Sequence, residues 1–88
     1  MTREIVIGCD NAAVPMKEML IRFLEDKGIA VEDMGCNSAK DPTNYPTVAR
    51  HVCERIAESG CQKRGILVCG TGIGMAISAN KFKGIRAA

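Results

Sequence analysis

The stretch of residues 64–76 constrains the fold most, because an apolar run there leads directly into glycines at alternate positions. The run is short and rich in branched aliphatic side chains, which is typical of a strand buried on both faces of a parallel sheet. Gly70, Gly72 and Gly74 follow it, and a helical pattern begins after them. Cys69 therefore stands at the end of a strand, where open α/β sheets bind their ligands.

The rest of the chain alternates predicted strands and helices. Strands are predicted at residues 3–9 and 29–34, helices at 13–27, 45–59 and from the glycine loop to about 82, and the start of a fourth strand at 85–88. This order requires right-handed crossovers and a parallel sheet. We expect residues 1–88 to form a single α/β domain, with a sheet edge left bare unless another chain covers it.

Composition excludes several classes of protein. A net charge of +2 without a basic face or aromatic platform argues against nucleic acid as a partner, and no apolar run is long enough to span a membrane. The cysteines form no C-x-x-C pair and only His51 could assist them, so no metal site is predicted. The odd number of cysteines and their spacing suggest a reducing cytoplasm, in which four of the five are small core residues: Cys9, Cys36, Cys53 and Cys61.

Cys69 is the first candidate for chemistry. Helix N-termini stabilise thiolates through the helix dipole and the amide groups that lack partners, so Cys69 is a candidate general base or nucleophile. The alternative is a buried strand cysteine that happens to precede a turn. The loop after it, Gly70 to Gly74 with Thr71, offers successive N–H groups to an anion or an oxyanion. It matches neither a Walker A motif nor G-x-G-x-x-G, since Met75 occupies the place of the third glycine.

Other polar residues fall at the predicted strand ends. Asp10 could hold a substrate hydroxyl and Asn11 could donate to a sugar oxygen, but both residue types are also common helix caps. Tyr45 follows a long polar loop and could extend over the site, or it could pack under that loop. A solvated or capping role suits His51 better than catalysis.

Three segments together resemble the signature of the type B ribose-5-phosphate isomerases, a family that includes galactose-6-phosphate isomerase subunits and allose-6-phosphate isomerases. The segments are residues 65–75, Ala79-Asn80-Lys81 and Gly84-Ile85-Arg86-Ala87, and Asn44-Tyr45-Pro46 is similar to a further family element.

The resemblance implies a Rossmann-like parallel sheet in an α/β/α sandwich, truncated here after the start of the fourth strand. It implies a homo-oligomer, dimeric or tetrameric, that isomerises a small phosphorylated sugar without cofactor or metal. Ribose 5-phosphate and ribulose 5-phosphate are the expected pair, as in the pentose phosphate pathway. Cys69 would move a proton between C1 and C2, while Thr71 and the glycines would stabilise the enediolate oxygen. Asp10 and Tyr45 would border the sugar.

The chain departs from the family pattern in two ways. Asn11 stands where the family usually has histidine. The family's later portion, with a ring-opening histidine and phosphate-binding arginines, has no counterpart in these 88 residues. The chain therefore resembles the N-terminal part of such an enzyme, and by itself we expect it to lack ring opening and phosphate affinity.

Three alternatives remain open. Phosphocysteine-carrying components of sugar phosphotransferase systems also place a cysteine before an anion-binding loop, although their cysteine normally ends the first strand. A non-catalytic binding or assembly module with this fold is a second alternative. A redox-sensing role for Cys69 is the weakest, because the spacing shows no resolving cysteine.

Overall fold

A computed structural model describes residues 4–38, 40, 44–60, 62–70 and 72–88. Strands and helices alternate along the chain: β1 (Ile5–Cys9), α1 (Val14–Asp26), β2 (Val31–Asp33), α2 (Tyr45–Glu58), β3 (Arg64–Val68) and α3 (Ile73–Asn80). The order of elements is the predicted one. The second strand is shorter than expected, and the third helix begins two residues earlier.

The three strands form one parallel sheet in the order β2-β1-β3. The chain moves from β1 to β2 through α1, and then crosses to the opposite edge through α2. Right-handed crossovers in opposite directions place their helices on opposite faces of a sheet. Helix α1 therefore covers one face, and α2 covers the other with α3 packed beside it. The predicted Rossmann-like α/β/α class is confirmed.

Local sequence explains where the helices begin and end. Proline occupies the first turn of both α1 and α2, where its missing N–H is not needed. The side chain of Asn44 caps α2 by accepting the N–H of Thr47 at 3.2 Å. Gly28 follows α1 at φ +76°, and Gly72 precedes α3 at φ +79°, which are left-handed conformations that favour glycine.

Strand β1 is the buried centre of the sheet. Val6, Ile7 and Cys9 have no exposed surface. Two strand glycines allow α2 to approach closely: a β-carbon at Gly8 would lie 2.6 Å from Val48, and one at Gly65 would lie 2.7 Å from Ile56. The helix thus lies close to the backbone of β1 and β3. Because Val48 near its start meets Gly8 near the end of β1, the N-terminus of α2 lies at the carboxyl edge of the sheet.

Strand β3 corrects one prediction. We expected it to be buried on both faces, but Arg64 and Gly65 are exposed and its remaining residues are half-buried. Its position explains this, because β3 forms one edge of the three-stranded sheet. The three- and four-residue spacing of apolar residues along α1 predicts a core-facing stripe, but three of its members are about half exposed: Met16, Met19 and Phe23.

Residues 85–88 do not form the predicted start of a fourth strand in the described sheet. Ala87 donates its N–H to Oδ1 of Asn80 at 2.9 Å, and its carbonyl accepts from Nδ2 at 3.0 Å. The Asn80 amide therefore pairs with the two backbone groups that a neighbouring strand would bind, and it also donates to the carbonyl of Ala76.

Within the described ranges, no helix combines the length and apolar character needed to cross a bilayer.

Candidate functional site

The carboxyl ends of β1 and β3 lie side by side. Cys9 pairs with Val68 in the parallel register, and the N–H of Asp10 donates to the carbonyl of Val68 at 3.1 Å. Asp10 and Cys69 are therefore the next residues of two adjacent strands, at one edge of the sheet. The ends of the first and third strands are thus neighbours in the structure.

The sulfur of Cys69 accepts a hydrogen bond from the backbone N–H of Gly72, with an N–Sγ distance of 3.0 Å. Gly72 is the residue that precedes α3, and its carbonyl accepts the N–H of Ala76 at 3.0 Å. The side chain of Cys69 is half-buried against the apolar core. An amide donor and the positive end of the α3 dipole thus lie at this sulfur.

Tyr45 lies at the point where α2 and α3 begin. It is the first residue of α2, and its ring is packed on Gly74 in the first turn of α3: a β-carbon at Gly74 would lie 2.7 Å from Cε1. The side chain keeps 41% of its surface exposed. Two of the predicted substrate-binding residues are therefore in direct contact, and the ring stands beside the glycine loop.

The carboxylate of Asp10 closes the turn that leads into α1. Its Oδ1 accepts the N–H groups of Ala12 at 3.1 Å and Ala13 at 3.0 Å. Asp10 is not the helix cap that the sequence also allowed, because Ala13 holds the N-cap position of α1. Asn11 lies exposed in the same turn, and Gly70 is exposed after β3. Thr71, predicted as catalytic, lies outside the described residues.

The sequence did not single out Lys17, which is 1% exposed and forms a salt bridge with Asp33 at 2.8 Å. A signal was available in the helical spacing. Lys17 follows Val14 by three residues and precedes Leu24 by seven, which places all three on the buried side of α1.

The described cysteines differ in their surroundings. Cys9, Cys36 and Cys53 are buried, whereas Cys69 is half-buried. Burial raises the pKa of Cys9, although the charge of Lys17 opposes that effect, and burial also raises the pKa of Cys53. No described group of three or more His, Cys, Asp or Glu side chains is arranged to hold a metal ion.

A half-buried thiol at a helix N-terminus, at the carboxyl edge of a parallel sheet, defines an α/β protein with a candidate site for nucleophilic or proton-transfer chemistry. The model of the Ribose/Galactose Isomerase family matches residues 5–88. The chain belongs to this family.

Named relatives and solved structures agree with this family assignment. D-Erythrulose-4-phosphate isomerase 2 of Mycolicibacterium smegmatis is 49% identical, over 99% of this chain and 58% of its own length. Ribose-5-phosphate isomerase B of Escherichia coli is 41% identical, over 97% of this chain and 56% of its own. A solved ribose 5-phosphate isomerase from Thermotoga maritima superposes with a TM-score of 0.92 at 43% identity, covering all of this chain and 59% of its own. The chain therefore spans less than two thirds of the length of these relatives.

Proposed function

We propose that the protein is an aldose–ketose isomerase of sugar phosphates, with ribose 5-phosphate and ribulose 5-phosphate as its substrate pair. The observation that carries the proposal is the hydrogen bond from the Gly72 N–H to the Cys69 sulfur. It holds a thiol at the edge where ligands bind in parallel sheets, with a backbone donor on its sulfur. Membership of the family supports the reaction class.

In this proposal the Cys69 thiolate acts as a general base. It takes the proton from C2 of the open-chain aldose, and the electron pair of that C–H bond forms the C1–C2 double bond of an enediolate. As that double bond forms, the carbonyl π pair moves onto O1, and the hydroxyl proton of O2 passes to O1. The same sulfur then returns a proton to C1 as the C2 carbonyl forms, which gives the ketose and regenerates the thiolate. The reaction needs no outside oxidant or reductant, because C2 is oxidised as C1 is reduced. A positioned base of this kind typically contributes 10²–10⁴-fold to the rate.

The glycine loop has a second role in the proposal. Gly70, Thr71 and Gly74 would supply donors to the enediolate oxygen, and the Gly72 N–H would bind either this oxygen or the sulfur. Preorganised backbone donors of this type stabilise charge that develops during a reaction.

Three side chains would surround the sugar. Asp10 lies beside Cys69 across the two strand ends, and would accept a hydrogen bond from a substrate hydroxyl through its carboxylate. Asn11 follows in an exposed turn, and would donate to a sugar oxygen. Tyr45 would cover the sugar from the side of the glycine loop, since its ring already contacts Gly74.

We further propose that residues 1–88 correspond to an incomplete isomerase domain. The greater length of the relatives supports this, and in the proposal ring opening and phosphate binding are functions of residues outside this segment. A cytoplasmic homo-oligomer acting in the pentose phosphate pathway is the biological setting that we propose.

A tetrose phosphate is the second candidate substrate. The relative named as a D-erythrulose-4-phosphate isomerase is 49% identical to this chain, against 41% for the ribose-5-phosphate isomerase of E. coli. Both substrates share the carbonyl and hydroxyl carbons at which the proton would move, so the same base would serve either.

The test is solvent deuterium exchange. The 88-residue chain is incubated in D₂O with ribulose 5-phosphate or, separately, D-erythrulose 4-phosphate, and deuterium on the carbon beside the carbonyl is followed by NMR. Both ketoses enter in the open-chain form, so no ring opening is needed. We expect exchange that Cys69→Ala abolishes and that the control Cys53→Ala, a buried thiol on α2, retains.

The outcomes separate the alternatives. Exchange that survives Cys69→Ala would refute Cys69 as the base. No exchange with either ketose from a folded chain would favour a binding or assembly module for this segment. Exchange with only one ketose would identify the substrate class.

A further inference from the structure

Lys17 places its ammonium group in the interior, on the side of α1 that faces the sheet. The residue is 1% exposed, and Nζ donates to both carboxylate oxygens of Asp33 at 2.8 Å. It also donates to the carbonyl of Cys36 at 2.5 Å and to Oδ1 of Asn37 at 3.0 Å. Four oxygens from one short loop therefore converge on a single positive charge.

The loop of residues 33–37 has the form of an oxygen cage. Carboxylate, backbone carbonyl and side-chain amide oxygens are the groups that proteins present to hard cations. The Asp33 carboxylate also accepts the N–H of Gly35 at 2.9 Å, so that it shapes the loop around the charge. A neutral side chain in the place of Lys17 would remove the charged donor that these oxygens share, although Asp33 would keep the Gly35 N–H and the Cys36 carbonyl would keep the Cys9 thiol.

The cage is joined to the strand that leads to the candidate site. The N–H of Cys9 donates to the carbonyl of Gly35 at 2.7 Å, and the N–H of Cys36 donates to the carbonyl of Cys9 at 2.9 Å. Asp10 is the next residue along this strand. The loop is thus held from one side by the end of β1 and from the other by the ammonium of Lys17.

We propose that residues 33–37 form a cation-binding cage and that Lys17 is a positioning residue that supplies the cation from within the chain. The positive charge, rather than the hydrocarbon stem that carries it, sets the shape of the loop and holds it against the end of β1. The loop beside the candidate site therefore requires no dissociable ion. This inference does not depend on the isomerase activity.

The first test separates the charge from the stem. Lys17→Met retains an unbranched apolar side chain but removes the ammonium. We expect amide hydrogen exchange at Gly35 and Cys36 to become about tenfold to hundredfold faster, because the loop loses the charged donor that its oxygens share. The amide of Ala76 on α3 serves as the reference for global opening. Unchanged exchange at Gly35 and Cys36, or a change equal to that of Ala76, would overturn the proposal.

The second test is chemical rescue. Lys17→Ala removes three methylene groups and the ammonium, the same atoms that n-propylammonium supplies. We expect n-propylammonium to raise the unfolding temperature of Lys17→Ala in a saturable manner and to restore slow exchange at Gly35. 1-Propanol is a neutral control of similar shape. The double variant Lys17→Ala, Asp33→Asn tests the cage itself, because it lacks the carboxylate.

If Lys17→Ala does not fold alone, circular dichroism shows whether n-propylammonium restores its folding. The proposal would be overturned if 1-propanol rescued Lys17→Ala as well as n-propylammonium does, or if n-propylammonium rescued the double variant equally well. The absence of any rescue by n-propylammonium would also overturn it. In either case Lys17→Met remains an independent test of the charge.

Discussion

The ring of Tyr45 lies against the backbone of Gly74, so closely that a β-carbon at Gly74 would stand 2.7 Å from Cε1, 2.9 Å from Cζ and 3.1 Å from the hydroxyl oxygen. Tyr45 begins α2 and Gly74 lies in the first turn of α3. This contact joins the first turns of the two helices beside Cys69. Glycine at this position is therefore explained by the space that the ring needs.

Gly74→Ala is expected to destabilise the protein. Overpacking typically costs about 1–3 kcal/mol. Replacing glycine with alanine in a helix gains about 1 kcal/mol in helix propensity, which at most cancels the lower end of that cost. Urea unfolding followed by circular dichroism measures the change. Tyrosine fluorescence reports on the ring directly, because Tyr45 is the only tyrosine and the chain has no tryptophan.

The matched control is Gly74→Ala in a Tyr45→Ala background. Without the ring, the substitution is expected to stabilise α3 by up to about 1 kcal/mol, since only the propensity gain remains. The same sign in both backgrounds would contradict the packing explanation. Gly70→Ala is a second control, because a β-carbon there meets no atom within 4 Å.

Cys69 is expected to react with iodoacetamide about tenfold or more faster than Cys9 and Cys53 in the folded protein. Its sulfur is half-buried and accepts the Gly72 N–H, whereas burial raises the pKa of the other two thiols. Peptide mass spectrometry measures each rate. As a control, the three alkylation rates should converge in concentrated urea. Similar alkylation rates in the folded protein would refute the difference in environment.

Stability is expected to fall below about pH 4.5 through loss of the Glu32 charge. Glu32 binds Arg55 at 2.7 Å and Lys63 at 3.3 Å, and the hydrogen bond from Arg55 is the main cause that holds its pKa below the ordinary value of 4.5. The unfolded chain therefore binds a proton first as pH falls. The stabilisation is complete above pH 4.5 and is lost between that pH and the lower pKa of the folded state.

Urea unfolding of the protein and of Glu32→Gln across this interval checks the prediction. The difference between their midpoints should be largest near pH 7 and should shrink as the medium becomes acidic. Glu54→Gln is the control, since Glu54 forms an exposed pair with Arg50, a type worth about 0–1 kcal/mol. A difference for Glu32→Gln that does not vary with pH would contradict the assignment.

Most of the fold follows from patterns that act over short distances. The apolar spacing of α1, the proline in its first turn and the glycine after it predicted that helix to within a residue at each end. The burial of β3 did not follow in the same way. A run of apolar residues indicates which side chains favour an interior, but the sheet as a whole determines which strands lie next to each other. Within the described residues, β3 pairs with β1 alone.

The candidate site shows the same division. The position of Cys69 between a strand and a glycine loop was evident from the sequence. The sequence allowed Asp10 to bind a substrate or to cap a helix, but it did not show that Oδ1 closes the turn before α1 by accepting two backbone N–H groups. The role of Lys17 was missed because charged residues are rarely expected inside, and its four oxygen partners come from residues 16 to 20 positions away.

By itself, the sequence determined the alternation of strands and helices, the parallel sheet and the place of the thiol, because hydrophobic periodicity, helix caps and crossover handedness are local or nearly local effects. Tertiary structure alone decided that the Gly72 N–H binds the Cys69 sulfur, that the ring of Tyr45 rests on Gly74, and that Lys17 fills the cage of residues 33–37. These contacts form only when the groups are positioned to within a few tenths of an ångström, and only the packed chain sets positions so closely.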